Sequence, residues 1–126
     1  MSPTTTFSRV ERLGLRLAEV ETGKSYGAPA LKVQGRMFAC IPTHRSAEPG
    51  SLAVRMSLVE RELRMRLRPD VYYVKPHYEP HPVVLARLAK LSDGELSELL
   101  ETGWAFEQGA RKRPKPIFDT FEDERT

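Results

Sequence analysis

Apolar residues in this chain change their spacing along the sequence, and that change confines the fold to a mixed helix-and-strand class. Phe7, Val10, Leu13 and Leu17 recur at helical intervals with Arg9, Glu11, Arg12 and Arg16 between them, which predicts an amphipathic helix over residues 7–19 capped by Thr6. Gly14 inside it weakens that helix by about 1 kcal/mol relative to alanine. The spacing then shortens to two. Leu31 to Val33 and Arg36 to Ile41 read as strands joined at Gln34-Gly35, and Leu52, Val54 and Met56 alternate with Ala53 and Arg55 in a third. Helical spacing returns at Val59, Leu63 and Leu67. Ser57 and Glu60 form a capping box at the start of that segment, and Pro69 stops it near residue 67. Val71–Val74 and Val83–Ala89 are strand-like. A last helix opens with a second capping box, Ser92 and Glu95, and carries Leu96, Leu99, Leu100 and Phe106 with Trp104 alongside.

These segments predict one α+β domain in the order α-β-β-β-α-β-β-α, a mainly antiparallel five-stranded sheet with helices on one face. A chain of 126 residues has room for one core and needs no disulfide or structural metal to fold. The domain is expected over residues 1–110. The prolines and the basic-then-acidic blocks of residues 111–126 predict a disordered charged tail. The first residues show neither the basic nor the apolar region of a secretory leader, and the lone Cys40 sits in an apolar run, so a buried thiol in the cytoplasm is expected.

Two segments carry a family resemblance. Ser25-Tyr-Gly-Ala-Pro-Ala-Leu-Lys-Val-Gln-Gly-Arg-Met-Phe-Ala39 and Val71-Tyr-Tyr-Val-Lys-Pro-His-Tyr-Glu-Pro-His-Pro-Val-Val-Leu-Ala-Arg-Leu88, at their observed separation, resemble the MmcQ/YjbR family. The most specific parts are Tyr26-Gly27-x-Pro29 and Lys75-Pro76-His77-Tyr78, while Ala28 and Leu31 depart from the pattern. The resemblance implies a small α+β fold related to frataxin-like and secretion-chaperone-like domains, and a DNA-binding role. It carries no catalytic residues.

Net charge is +3, and its distribution says more. Residues 55–90 hold eight Lys and Arg, whereas residues 92–110 hold five acids and no Lys or Arg. Strand alternation is expected to turn Lys32 and Arg55 away from the helices, with Arg36, Lys75 and Arg87 nearby and Tyr73 interleaved. Such an open basic face with an aromatic would hold phosphates and stack a base. The plain alternative is a solvated sheet face. His77 and His81 have a helical metal-ligand spacing, but Pro76, Pro80 and Pro82 exclude a helix there, so no metal is expected. No phosphate-binding glycine loop or nucleophile-and-base motif occurs, and neither a cofactor nor enzyme activity is expected. The second reading is a protein-binding adaptor using the sheet face, or using the tail through Ile117, Phe118 and Phe121.

Overall fold

The computed structural model describes residues 3–109, with side chains from Phe7 onward. Helix α1 spans Pro3–Gly14, followed by strands β1 Val20–Ser25, β2 Ala28–Val33, β3 Arg36–Cys40 and β4 Ser51–Arg55. Helix α2 covers Leu58–Leu67, strands β5 Tyr72–Tyr73 and β6 Val83–Arg87 follow, and a 3-10 turn at Leu88–Lys90 leads to α3, Asp93–Gly109. The sheet order is β1-β2-β3-β4-β6-β5, and every pairing is antiparallel. The expected boundary at residue 110 and the tail over 111–126 lie outside the described residues.

The α+β class holds, but the sheet has six strands where five were expected. The added strand, β1, contains one apolar residue, Val20, and sits at the edge with Glu21 and Lys24 exposed. An edge strand needs a backbone partner more than an apolar face, and charges there discourage further pairing. Its pairing register ends at Ser25 opposite Ala28, with Tyr26 (φ 51°) and Gly27 (φ 82°) forming the turn. Gln34 (φ 53°) and Gly35 (φ 79°) make a second turn of the same left-handed kind, as a two-residue hairpin loop requires. Helix α1 is also displaced from its expected limits. It starts at Pro3, so Thr6 lies within it, and it stops at Gly14, which packs directly on the Leu31 side chain of β2.

Strand alternation sorts the apolar residues into two clusters on opposite faces of the sheet. Leu52, Val54, Val84 and Ala86 face α1 and α3, joining Val10, Leu13, Leu96, Leu99 and Leu100 in the main core. Ala53, Val83, Leu85 and Tyr73 face the other way and pack with Met37, Cys40 and Tyr78. Helix α3 approaches the sheet closely at Gly103. A Cβ there would meet Val54 Cγ1 at 2.7 Å and the Phe38 carbonyl oxygen at 3.1 Å, so only glycine fits without displacement. Of the three expected caps the two serine caps form: Ser57 Oγ accepts from the Glu60 N–H at 3.1 Å, and Ser92 and Glu95 cap each other reciprocally at 2.9 and 3.1 Å.

Candidate functional site

The second face of the sheet is not open. Residues 41–50 and 74–82 fold over it, with Tyr78 fully buried and Ala47 packed against the same cluster. His44 of the first segment stacks on His77 of the second, with ring centroids 3.7 Å apart and planes 9° from parallel. This corrects the expectation of a bare basic face, and the reason lies in the prolines. Pro76, Pro80 and Pro82 stiffen a connection that lies across the strands, where it buries apolar surface.

The six residues expected to hold nucleic acid divide into three groups. Tyr73, Lys75 and Arg87 do come together. The Arg87 guanidinium lies 4.4 Å from the Tyr73 ring centroid and Lys75 Nζ lies 5.8 Å away. Tyr73 is only 9% exposed, and its hydroxyl is engaged with Ser51 Oγ at 2.6 Å and the Glu48 N–H at 2.8 Å. Arg87 donates to both carboxylate oxygens of Glu48 at 2.8 Å and to the Asp70 carbonyl at 3.1 Å. Those bonds hold the Glu48 carboxyl below the usual glutamate range and raise the arginine. Arg55 and Arg36 form a second group around Glu107 of α3, whose carboxylate lies 3.1 Å from Arg55 Nε and 3.9 Å from Arg36 Nη1. Arg55 is therefore not on an open face but 8% exposed, neutralised by a buried acid that the sequence did not single out. Lys32 stands apart, its aliphatic stem lying over Gly23 of the edge strand.

Helix α2 reverses the polarity that its sequence suggests. Spacing places Val59, Leu63 and Leu67 along one face of the helix, and that face is turned outward: they are 81%, 47% and 67% exposed. The buried side chains of this helix are Arg61 and Arg64. Arg61 donates to the carbonyls of His81 (3.0 Å), Val83 (3.1 Å) and Glu79 (3.1 Å). Pro80 and Pro82 in that segment have no N–H, so a guanidinium fork supplies donors that the backbone there lacks. Arg64 donates to Glu60 (2.9 Å), Glu98 (2.7 Å), the Thr102 hydroxyl (2.9 Å) and the Tyr72 hydroxyl (3.1 Å). Burial works against the Arg64 charge, but its bonds to Glu98 and Tyr72 hold the proton more firmly than in a free arginine. Glu98 is correspondingly pulled below the ordinary glutamate range. Arg68 extends the clasp to Glu95 at 2.7 Å.

The outcome is a helix fastened through Arg61 and Arg64, with Met65 beside them packed partly against the main core, and with an aliphatic row facing solvent. Periodicity could not reveal this, because it shows that one face is apolar and not which way that face points. The signal that could have done so is the Arg61, Arg64, Arg68 spacing, a second stripe on the same helix as regular as the apolar one. An open cleft of about 340 Å³ lies between α1 and the β1–β2 hairpin, walled by Phe7, Glu11, Lys24 and Pro29 among others, and it gathers one carboxylate and one ammonium. Among the described residues, no group of three or more His, Cys, Asp or Glu is placed to hold a metal ion, and no helix is long and apolar enough to cross a membrane.

No protein-family model matches the chain, and no solved structure matches it. It is similar to uncharacterised proteins of Mycobacterium bovis and Mycobacterium tuberculosis, 34% identical over 53 residues in each case. The match covers 42% of this chain and 37% of each relative's length.

Proposed function

We propose that this chain is a non-enzymatic protein-binding module whose docking surface is the outward face of α2. The observation that carries this reading is the inverted anchoring of that helix: Arg61 and Arg64 take up its attachment to the sheet and to α3, while Val59, Leu63 and Leu67 stay in water. Burying such a row against a partner recovers about 25 cal/mol for each Å² of apolar surface removed from water. An aliphatic row rimmed by charges is the pattern of a helix that docks on another protein surface. Membership of the MmcQ/YjbR family remains part of the proposal. It is supported by the Tyr26-Gly27 hairpin turn and by the Lys75–Tyr78 segment, in which the Tyr78 N–H bonds to the Lys75 carbonyl at 2.8 Å and the tyrosine side chain is buried.

DNA binding is the second reading. It is supported by Lys32 and Lys75, which are half-buried cations away from the α2 face, and less by Arg55, Tyr73 and Arg87, whose polar groups already have partners inside the protein. A photo-crosslinking residue at Val59 of the full chain, used in cells, separates the two. The protein-binding reading expects a discrete crosslinked product, its partner identified by mass spectrometry, that Leu63→Glu removes. No product sensitive to Leu63→Glu, together with DNA affinity that falls steeply between about 50 and 200 mM salt, would instead favour the nucleic-acid reading.

A further inference from the structure

We propose that the β1 edge of the sheet takes up an extended peptide of another protein as an added antiparallel strand, and that the cleft beside α1 selects its side chains. The site lies at the opposite end of the sheet from α2 and does not rest on the docking role of that helix. The hairpin register settles which backbone groups of β1 are unused. Ser25 and Ala28 flank a two-residue turn and so bond to each other, as do Gly23 with Ala30 and Glu21 with Lys32. Pro29, which has no N–H, falls opposite Lys24 at a non-bonded position, and its carbonyl accepts from the Ile41 N–H at 3.0 Å on the β3 side. Val20, Thr22 and Lys24 therefore direct their N–H and C=O groups away from the sheet, and among the described residues no strand meets them. An extended backbone matches such a row group for group. The other edge, β5, is two residues long and offers no such row.

The cleft supplies the selection. Thr22 and Lys24 share the α1 side of the sheet, since Leu31 opposite Thr22 lies in the main core. With Phe7, Glu11 and Pro29 they wall the opening of about 340 Å³. Side chains of an added strand opposite Thr22 and Lys24 point to that same side. Glu11 and Lys24 are of opposite charge, and among the described residues neither side chain has an ion pair. An acid opposite Lys24 and a base opposite Thr22, facing Glu11 across the cleft, would pair both. The two positions lie on one face of a strand with a single residue between them, and antiparallel direction fixes their order as acid-x-base. The exposed charges of β1 that turn away unmatched strands thus select a matched one.

Two capped synthetic peptides of alternating Thr and Val, one built around Glu-x-Lys and the other around Lys-x-Glu, test this on the full chain. By titration calorimetry at low salt the first is expected to bind about tenfold more tightly than the second, because the second sets like charges on Glu11 and Lys24. Its binding should slow amide hydrogen exchange at Thr22 and Lys24, while Gly23 and Ser25, already bonded to β2, change little. Thr22→Pro removes an outward N–H that the sheet does not use, and should abolish binding with an unchanged circular dichroism spectrum. Should that variant unfold, Lys24→Glu serves in its place: it weakens the Glu-x-Lys peptide by about three- to tenfold, and a Lys-x-Lys peptide recovers the loss. Leu63→Glu on α2 leaves binding intact. Failure of the Glu-x-Lys peptide to bind, or to slow exchange at Thr22 and Lys24, overturns the proposal. Equal binding of the two peptides, or binding lost in Leu63→Glu, overturns it as well. Slow exchange at Thr22 and Lys24 without peptide would show the edge already covered by the chain itself or by a second copy, and would overturn it too.

Discussion

Helix α3 buries Leu96, Leu99 and Leu100 and leaves Glu98 and Glu101 at the surface, whereas α2 beside it turns Arg61 and Arg64 inward and leaves Val59, Leu63 and Leu67 in water. Both have helical apolar spacing and both start at a serine cap, so the difference comes from what each helix lies upon. Beneath α3 the strands present Leu31, Phe38 and Val54, and only apolar side chains satisfy that surface. Beneath α2 lie the carbonyls of Glu79, His81 and Val83 and the Tyr72 hydroxyl, and on its flank lie Glu98 and Thr102 of α3. Buried acceptors without donors cost about 1–3 kcal/mol each, so this floor favours arginine over leucine. A helix therefore orients by the better match between its two faces and its floor.

The contrast can be broken most directly by truncating one leucine on each helix. Leu100→Ala is expected to cost about 2–5 kcal/mol in urea unfolding, as for a large aliphatic removed from a packed core. Equal losses at Leu100 and Leu63 would show that α2 buries its leucines after all. Next in size, Gly103→Ala forces a methyl against Val54 and the Phe38 carbonyl, and about 1–3 kcal/mol of destabilisation is expected in the same assay. A neutral result there would mean that α3 lies farther from the sheet.

Arg61→Met keeps much of the arginine's volume but removes the donors to three carbonyls, and about 1–3 kcal/mol should be lost. Stability equal to the wild type would imply that water replaces the guanidinium and that α2 is less firmly fixed.

Acidification gives a smaller effect and addresses the seam between the two helices. Glu98, Glu95 and Asp70 are all held below their usual range, Glu98 and Asp70 chiefly by arginine donors and Glu95 first by the Ser92 N–H. A carboxylate lowered on folding contributes stability that is fully present above its unfolded pKa, about 3.9 for Asp and 4.3 for Glu, and is lost as pH falls through the lower folded value. Stability should therefore decline below about pH 4, and Glu98→Gln should flatten that decline while lowering stability at neutral pH. An unchanged pH profile in Glu98→Gln would place the acid sensitivity elsewhere. The smallest expected change is at Leu63→Ala, within about 0.5 to 1 kcal/mol of wild type by thermal unfolding, since about half of that residue is exposed. A larger loss at low protein concentration would indicate cover by another part of the chain.

Much of the fold could be read from local pattern. The Gln34-Gly35 turn, both serine caps and the stop before Pro69 all act within a few residues, and each formed where expected. Trp104 packs against the core and donates its indole N–H to the Ala18 carbonyl at 2.9 Å, consistent with the structural place its spacing implied. The candidate site was less legible. Lys32, Arg55 and Arg87 were assigned by strand parity to one face, but parity says nothing of loops that fold over it or of acids such as Glu107 and Glu48 that arrive from distant positions.

Sequence alone determined the α+β class, the starts of α2 and α3, the end of α2 and the central strands, because caps, turns and side-chain period are properties of neighbouring residues. Tertiary structure alone decided that Val20–Ser25 pairs as an edge strand, that residues 41–50 and 74–82 close the second face, and that α2 turns its arginines inward. Each of these depends on a free-energy comparison between a segment and a surface assembled from residues far away in the chain. An amphipathic helix has two faces that a core could accept, and the carbonyls beneath α2 chose the charged one.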